Sequence, residues 1–160
     1  MSTVSQILKT KGNVVVTIVP GATALEAARL MNEKRIGCVL VIEAGKSDLL
    51  GILSERDILT RIVAGERDPR TTRVTDVMTR DVICCTPQTA ISELKTVMQA
   101  RRVRHVPVRD GTASGGGSAG AVGPGSGAVC GLVSIGDLNA WENTTLNQTV
   151  HSLEDYVQRP

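Results

Sequence analysis

Two four-residue stretches carry the side chains best suited to chemistry: Ser54-Glu55-Arg56-Asp57 and Ser134-Ile135-Gly136-Asp137. Each follows an apolar run, opens a helix-compatible one, and has a glycine, Gly51 or Gly131, three residues before its serine. Ser-x-x-Asp at such a junction has two physical readings. As a capping box, serine and aspartate satisfy orphan N–H groups in the first turn of a helix. As a binding site, the helix N-terminus presents free N–H groups to a phosphate, the hydroxyl helps hold it, and the carboxylate accepts from the vicinal hydroxyls of a ribose. The spacing satisfies both readings, and its occurrence twice favours a ligand at one or both motifs. A second candidate is Arg104-His105, inside Arg102-Val103-Arg104-His105-Val106-Pro107-Val108. It is either a cationic pair for ligand phosphates or a basic helix end that suits the C-terminal dipole. The chain holds one Trp, one Tyr and no Phe. An adenine would therefore lie between aliphatic side chains and hydrogen-bond to backbone groups. Around His105 and His151 there is no evident nucleophile or carboxylate pair, and no His/Cys/Asp cluster has metal-ligand spacing. No catalytic residue, metal site or covalent cofactor is expected.

The elements that must position these residues come as an internal repeat. Residues 19–41 align with 86–108 at a constant offset of 67, with Pro20/Pro87, Glu26/Glu93, Met31/Met98, Arg35/Arg102, Val39/Val106 and Val41/Val108 identical. Gly51 to Asp57 aligns with Gly131 to Asp137 at an offset of 80. The difference comes from residues 111–127, almost wholly Gly, Ser and Ala, which cannot bury enough apolar area to order themselves. They enlarge a hairpin tip, where length costs little loop entropy, as a tolerated expansion or a docking arm.

Each repeat predicts strand, helix, strand, strand, helix. In the first, residues 14–19 form a strand ended by Pro20-Gly21, Thr23-x-x-Glu26 caps a helix, and Gly37 closes it. Residues 38–42 and 49–53 form a hairpin, and a second helix spans about 55–64. In the second, strands are expected at 82–86, 106–108 and 129–133, with helices at 90–101 and from about 135. Short helical turns, 4–8 and 74–78, precede the repeats, and 65–73 links them. Leu146, Val150, Leu153 and Val157 form a tail stripe at helical spacing. The expected units are residues 1–67, residues 68–142 with the insertion at 111–128, and a C-terminal helix over 143–160.

Composition bounds the function. At 160 residues and 41% hydrophobic, the chain can build one domain or two small repeats. A net charge of +2, spread along the chain, argues against nucleic-acid or anionic-membrane partners. The longest apolar run, residues 38–42, is too short to cross a bilayer. The first residues show no apolar signal region. An intracellular, cytoplasmic setting is expected, or a mitochondrial or other organellar matrix if a transit peptide has been removed. Cys38, Cys84, Cys85 and Cys130 lie in apolar segments without C-x-x-C spacing, as buried reduced thiols do; the adjacent Cys84-Cys85 pair is the one candidate for redox chemistry.

The duplicated Gly-h-h-Ser-x-x-Asp motifs, with Arg35 to Val41, Arg102 to Val108 and Val74-Thr-Asp-Val-Met-Thr79, resemble the cystathionine-β-synthase (CBS) domain pair, or Bateman module. The resemblance implies an α/β (α+β) fold of two βαββα repeats packed as a pseudo-two-fold pair with short terminal helices. It also implies a homodimer that binds AMP, ATP, NAD(H) or S-adenosylmethionine and signals to an effector protein. By motif position, Asp57 and Asp137 would hold ribose hydroxyls, and Ser54 and Ser134 would contact phosphate. Arg56 belongs to the first motif, and Arg104 and His105 match phosphate-binding positions. Backbone near Ile36, Gly37 and Cys38, near Val103 and Pro107, and before the first strands at Val14 and Val82 would frame adenine. Gly37-Cys38 lacks the basic pair of the second repeat, and Gly136 replaces Arg56, so the two clefts are expected to be chemically unequal. A module without a small ligand, acting on redox proteins such as thioredoxin, is the alternative.

Overall fold

A computed structural model describes residues 1–111 and 127–157, with side chains to residue 152. The helices are α1 (Val4–Lys11), α2 (Ala24–Lys34), α3 (Glu55–Asp57, continuing as a π-helix over Ile58–Val63), α4 (Val74–Val77), α5 (Ile91–Arg101) and α6 (Ile135–Val157). The strands are β1 (Thr17–Ile18), β2 (Cys38–Ile42), β3 (Leu49–Ser54), β4 (His105–Asp110) and β5 (Ala128–Ser134). In the first repeat β1 runs parallel to β2, which pairs antiparallel with β3. In the second, β4 and β5 pair antiparallel. The insertion, apart from its margins, lies outside the described residues.

Local chemistry explains most of the boundaries. Thr23 Oγ1 accepts from Glu26 N at 3.2 Å and Glu26 Oε2 accepts from Thr23 N at 2.7 Å, the reciprocal box that starts α2. Its buried stripe is Ala24, Ala27 and Met31, and α5 repeats the spacing with Ile91, Leu94 and Met98. Gly37 does not end α2, contrary to expectation. The chain turns at Arg35, left-handed at φ 53°, and at its counterpart Arg102, also at φ 53°. What Gly37 provides is clearance: a Cβ there would sit 3.3 Å from Cε1 of His105.

The first strand of each repeat is shorter than expected. β1 covers only Thr17 and Ile18, with one further bond from Leu40 N to Val16 O at 3.1 Å. In place of a strand over 82–86 there are isolated bridge positions at Cys84 and Cys85, and Cys85 bridges Val108. Its N–H donates to Pro107 O at 3.0 Å and its carbonyl accepts from Arg109 N at 2.9 Å. A turn closes that segment: Thr89 Oγ1 accepts from Thr86 N at 3.0 Å and Thr89 N donates to Thr86 O at 3.1 Å.

Two cores result, and chain order does not divide them. Val4, Ile7 and Leu8 of α1 pack with Cys85, Leu94, Val106, Val133 and Leu138 of the second repeat. Val74, Val77 and Met78 pack with Ala27, Met31, Val39 and Leu53 of the first. The exchange is pinned by matching bonds. Val4 N donates to Thr89 O (2.9 Å) and Val74 N to Ala22 O (2.8 Å); Ile91 N donates to Ser2 O (3.0 Å) and Ala24 N to Thr72 O (2.8 Å). A division at 67/68 therefore cuts across both cores. Nor is there a break at 143, since α6 is continuous from Ile135 to Val157. It is held to α5 by Lys95 Nζ, 2.7 Å from each carboxylate oxygen of Glu142. Along the tail stripe Leu146 and Val150 are exposed, while the side chains of Leu153 and Val157 lie outside the described residues.

The glycines of the two motifs permit this exchange. A Cβ at Gly51 would lie 2.6 Å from Met78 Sδ and 2.8 Å from Thr79 O, and one at Gly131 would lie 2.8 Å from Leu8 Cδ2. Each glycine is where the borrowed helix crosses its strand. Among the described residues no helix is long and apolar enough to cross a membrane.

Candidate functional site

Both Ser-x-x-Asp motifs form complete capping boxes. Asp57 Oδ2 accepts from Ser54 N and Oγ, both at 2.9 Å, and Asp57 N donates back to Ser54 Oγ at 3.3 Å. Asp137 Oδ2 accepts from Ser134 N at 2.7 Å and Oγ at 2.8 Å, and its N–H returns to Ser134 Oγ at 3.2 Å. The capping geometry is thus present in each, and it leaves the outer carboxylate oxygen of each aspartate clear of the serine.

Around the first motif the chain encloses a cavity of about 210 Å³. Ile52, Ser54, Arg56 and Asp57 line it from the first repeat, Val103, Arg104 and His105 from the second, and Gly37 and Thr79 close it. Strand geometry explains the convergence. His105 pairs with Ser134 in the β4–β5 ladder, and Ile135 N donates to Arg104 O at 2.9 Å, as Glu55 N does to Gly37 O at 2.9 Å. The start of β4 is thereby fixed to its own repeat's motif by backbone while its side chains face the other motif. Burial pushes the His105 imidazole below its ordinary pKa, and the Arg104 guanidinium adds to this; Asp137 and Glu55 pull the other way. A neutral imidazole beside Arg104 becomes a better cation when an anion arrives.

Thr79 was not singled out by its sequence position. Its hydroxyl lies 3.5 Å from Asp57 Oδ1, and its backbone exchanges two 2.9 Å bonds with Ile52. Arg61 Nε is 3.6 Å from the same oxygen, with its guanidinium spent on Val77 O at 2.8 Å and Met78 O at 2.9 Å.

Around the second motif the arrangement differs. Lys11 Nζ stands 2.6 Å from Asp137 Oδ2 and 2.9 Å from Leu132 O. Burial raises the Asp137 pKa, but the bonds from Lys11 and Ser134 outweigh it and hold the carboxyl below its ordinary range. Nothing in the local sequence marks Lys11, which reaches Asp137 only through the exchanged helix.

Other expected site residues are placed apart from the cavity lining. Cys38 is buried, and burial pushes its thiol to about 12. Ile36 packs on the first core. Pro107 is buried in β4 opposite Leu132. Val14 is 85% exposed, and Val82 is half-buried where its N–H turns back to Arg80 O. Among the described residues the four cysteines form no disulfide. Burial also pushes Cys85 up to about 12, where the reactive thiolate is scarce. Among the described residues no group of three or more His, Cys, Asp or Glu could hold a metal ion.

The sequence is 27% identical over 165 residues to the mitochondrial CBS domain-containing protein CBSX3 of Arabidopsis thaliana, covering 99% of this chain and 69% of that one. It is 30% identical over 138 residues to YhcV of Bacillus subtilis, covering 86% and 84%. The structure superposes on a CBS-domain protein from Burkholderia ambifaria MC40-6 with a TM-score of 0.73 and 36% identity, over 86% and 90% of the two chains. The CBS domain model matches residues 4–64 and 74–115. With its two repeats, exchanged helices and paired motifs, the chain belongs to the CBS-domain family.

Proposed function

We propose that this chain is a regulatory module that binds an adenosine-containing ligand, of the AMP, ATP, NAD(H) or S-adenosylmethionine type, in the cavity of the first motif. The carrying observation is that a carboxylate from one repeat and an Arg–His pair from the other converge on one cavity. Asp57 accepts from the ribose hydroxyls. Arg104 and His105, with Arg102 and Arg56 at the mouth, take the phosphates through charge-assisted hydrogen bonds. The ligand thus touches both repeats at once and selects their relative arrangement, which an effector protein reads. A CBS-domain protein from Pyrobaculum aerophilum with the same fold, at a TM-score of 0.68 and 20% identity, was solved in complex with AMP.

Assembly into a homodimer fits the surface. Leu59 and Val63 on the π-helix and Leu146 and Val150 on α6 are all more than half exposed, at 62%, 63%, 63% and 51%. Apolar side chains left on two helices suit burial against a second copy. A CBS-CP12 protein from cyanobacteria, 25% identical with a TM-score of 0.68, is hexameric.

Calorimetry with AMP, ATP, NADH and S-adenosylmethionine tests the reading. At least one binds wild type, and Asp57→Ala weakens it by about tenfold to a hundredfold, the worth of losing a charged acceptor. Unchanged affinity in Asp57→Ala would remove the site. The complete capping boxes favour a second reading, a protein-interaction module without a small ligand. A thermal-shift screen with the same four ligands separates the two, because a bound ligand raises Tm by mass action.

A further inference from the structure

We propose that Lys11 is a built-in occupant of the second cleft, so that the chain takes one nucleotide rather than two; this rests on the nucleotide reading of the first cleft. In the first repeat, Ile52 and Asp57 both line the cavity. Their counterparts in the second are Leu132 and Asp137, and the Lys11 ammonium stands between those two, bonded to the carbonyl of one and the carboxylate of the other. The cause is helix length. α4 ends at Val77, and the chain leaves it extended, with Met78 at ψ 156°, so that Thr79 meets Ile52 through backbone. α1 continues to Lys11. The added turn replaces that backbone bridge with a side chain, and the side chain reaches the carboxylate.

The ammonium neutralises the charge that would hold ribose hydroxyls. A ligand needing that carboxylate sees its affinity cut by the fraction of time the lysine is away. The positions matching Arg104 and His105 are Gly37 and the buried Cys38, so a site opened by removing the lysine takes AMP through its ribose and more weakly than the first cleft does.

Native mass spectrometry and calorimetry with AMP test this on four variants. Wild type binds one AMP per chain, Asp137→Ala still binds one, and Lys11→Ala binds two. In Lys11→Ala/Asp137→Ala the count returns to one. Lys11→Met, which keeps the apolar stem, guards against a folding artefact and is expected to match Lys11→Ala. Two equal AMP sites in wild type overturn the inference, as does a count of one or a lost site in both lysine variants. No AMP in any variant removes the nucleotide reading for AMP and this inference with it, an outcome distinct from a wild type that binds while the lysine variants gain nothing.

Discussion

The two repeats build the same carboxylate on the same capping box and then surround it differently. Asp57 has a hydroxyl at 3.5 Å and an arginine Nε at 3.6 Å, and it faces a cavity shared with the opposite repeat. Asp137 has an ammonium at 2.6 Å. The backbone bonds that pin the exchanged helices, the buried stripes and the left-handed turns match between the halves; the polar side chains around the motifs do not. The core therefore tolerates little divergence, because the exchanged helices must cross both strands at a glycine. The cleft surfaces are free to differ.

The comparison breaks most visibly at those glycines. Gly51→Ala drives a Cβ against a backbone carbonyl at 2.8 Å as well as Met78, whereas the nearest neighbours of a Cβ at Gly131 all belong to the Leu8 side chain. Backbone cannot rotate aside and leucine can. Gly51→Ala is expected to cost about 2–3 kcal/mol and Gly131→Ala about 1 kcal/mol, in the range of overpacked cores. Urea unfolding of both variants checks the order; equal losses would mean that the two crossings are equally rigid.

The same glycines show how much was legible in the sequence. Repeat, hairpins, capping boxes and the inequality of the clefts followed from residue types at fixed offsets, because each is a local or periodic signal. The exchange of α1 and α4 did not, since apolar residues such as Val4 or Val74 fit either core and only the packing selects one. Lys11 and Thr79 were missed for that reason. Gly37 was misassigned because a glycine near a helix end has two uses, a left-handed turn and a close approach, and Arg35 had already made the turn. The Arg104–His105 pair was visible as chemistry, but not that it faces the motif of the other repeat.

Protonation sharpens the comparison next. His105 faces Arg104, Glu55, Asp137 and Lys11, and its folded pKa lies below the unfolded 6.5. The unfolded chain therefore takes up the proton first. The stability that the neutral ring contributes is complete above pH 6.5 and is lost as pH falls from there toward the folded value. Asp137 acts in a separate window: its folded pKa lies below 3.8, so its contribution holds above that pH and fades only as pH drops through it. Unfolding free energy of wild type minus His105→Gln, measured from pH 8 to 5, is expected to be flat above 6.5 and to fall below it. A flat difference throughout would show that the ring is not held neutral by burial.

The ion pair of the second motif comes third. With side-chain exposures of 33% and 22% for Lys11 and Asp137, solvent screens much of the attraction, and Lys11→Met is expected to cost about 0.5–1 kcal/mol. Thr79→Val removes two long contacts at the first motif, with Asp57 Oδ1 and with Arg61 Nη2, each at 3.5 Å, and should cost less than about 0.5 kcal/mol. Denaturation in low and high salt separates them, because only the lysine difference shrinks with screening.

An effect of similar size and opposite sign is expected at the left-handed arginines, where the halves agree in backbone and part in function. Arg35 and Arg102 end α2 and α5 at the same φ of 53°, a conformation glycine adopts without a Cβ penalty. Glycine at either place is expected to raise stability by about 0.5 kcal/mol, the strain relieved being partly offset by the freer unfolded chain. Arg102 also lines the first cavity, and Arg35 does not line it. Arg35→Gly should therefore leave nucleotide affinity unchanged, whereas Arg102→Gly gains the same stability while losing affinity most for the ligand with the most phosphates. If calorimetry finds both variants equal to wild type across AMP and ATP, the phosphates do not lie toward Arg102, and the binding pose must turn toward Arg56.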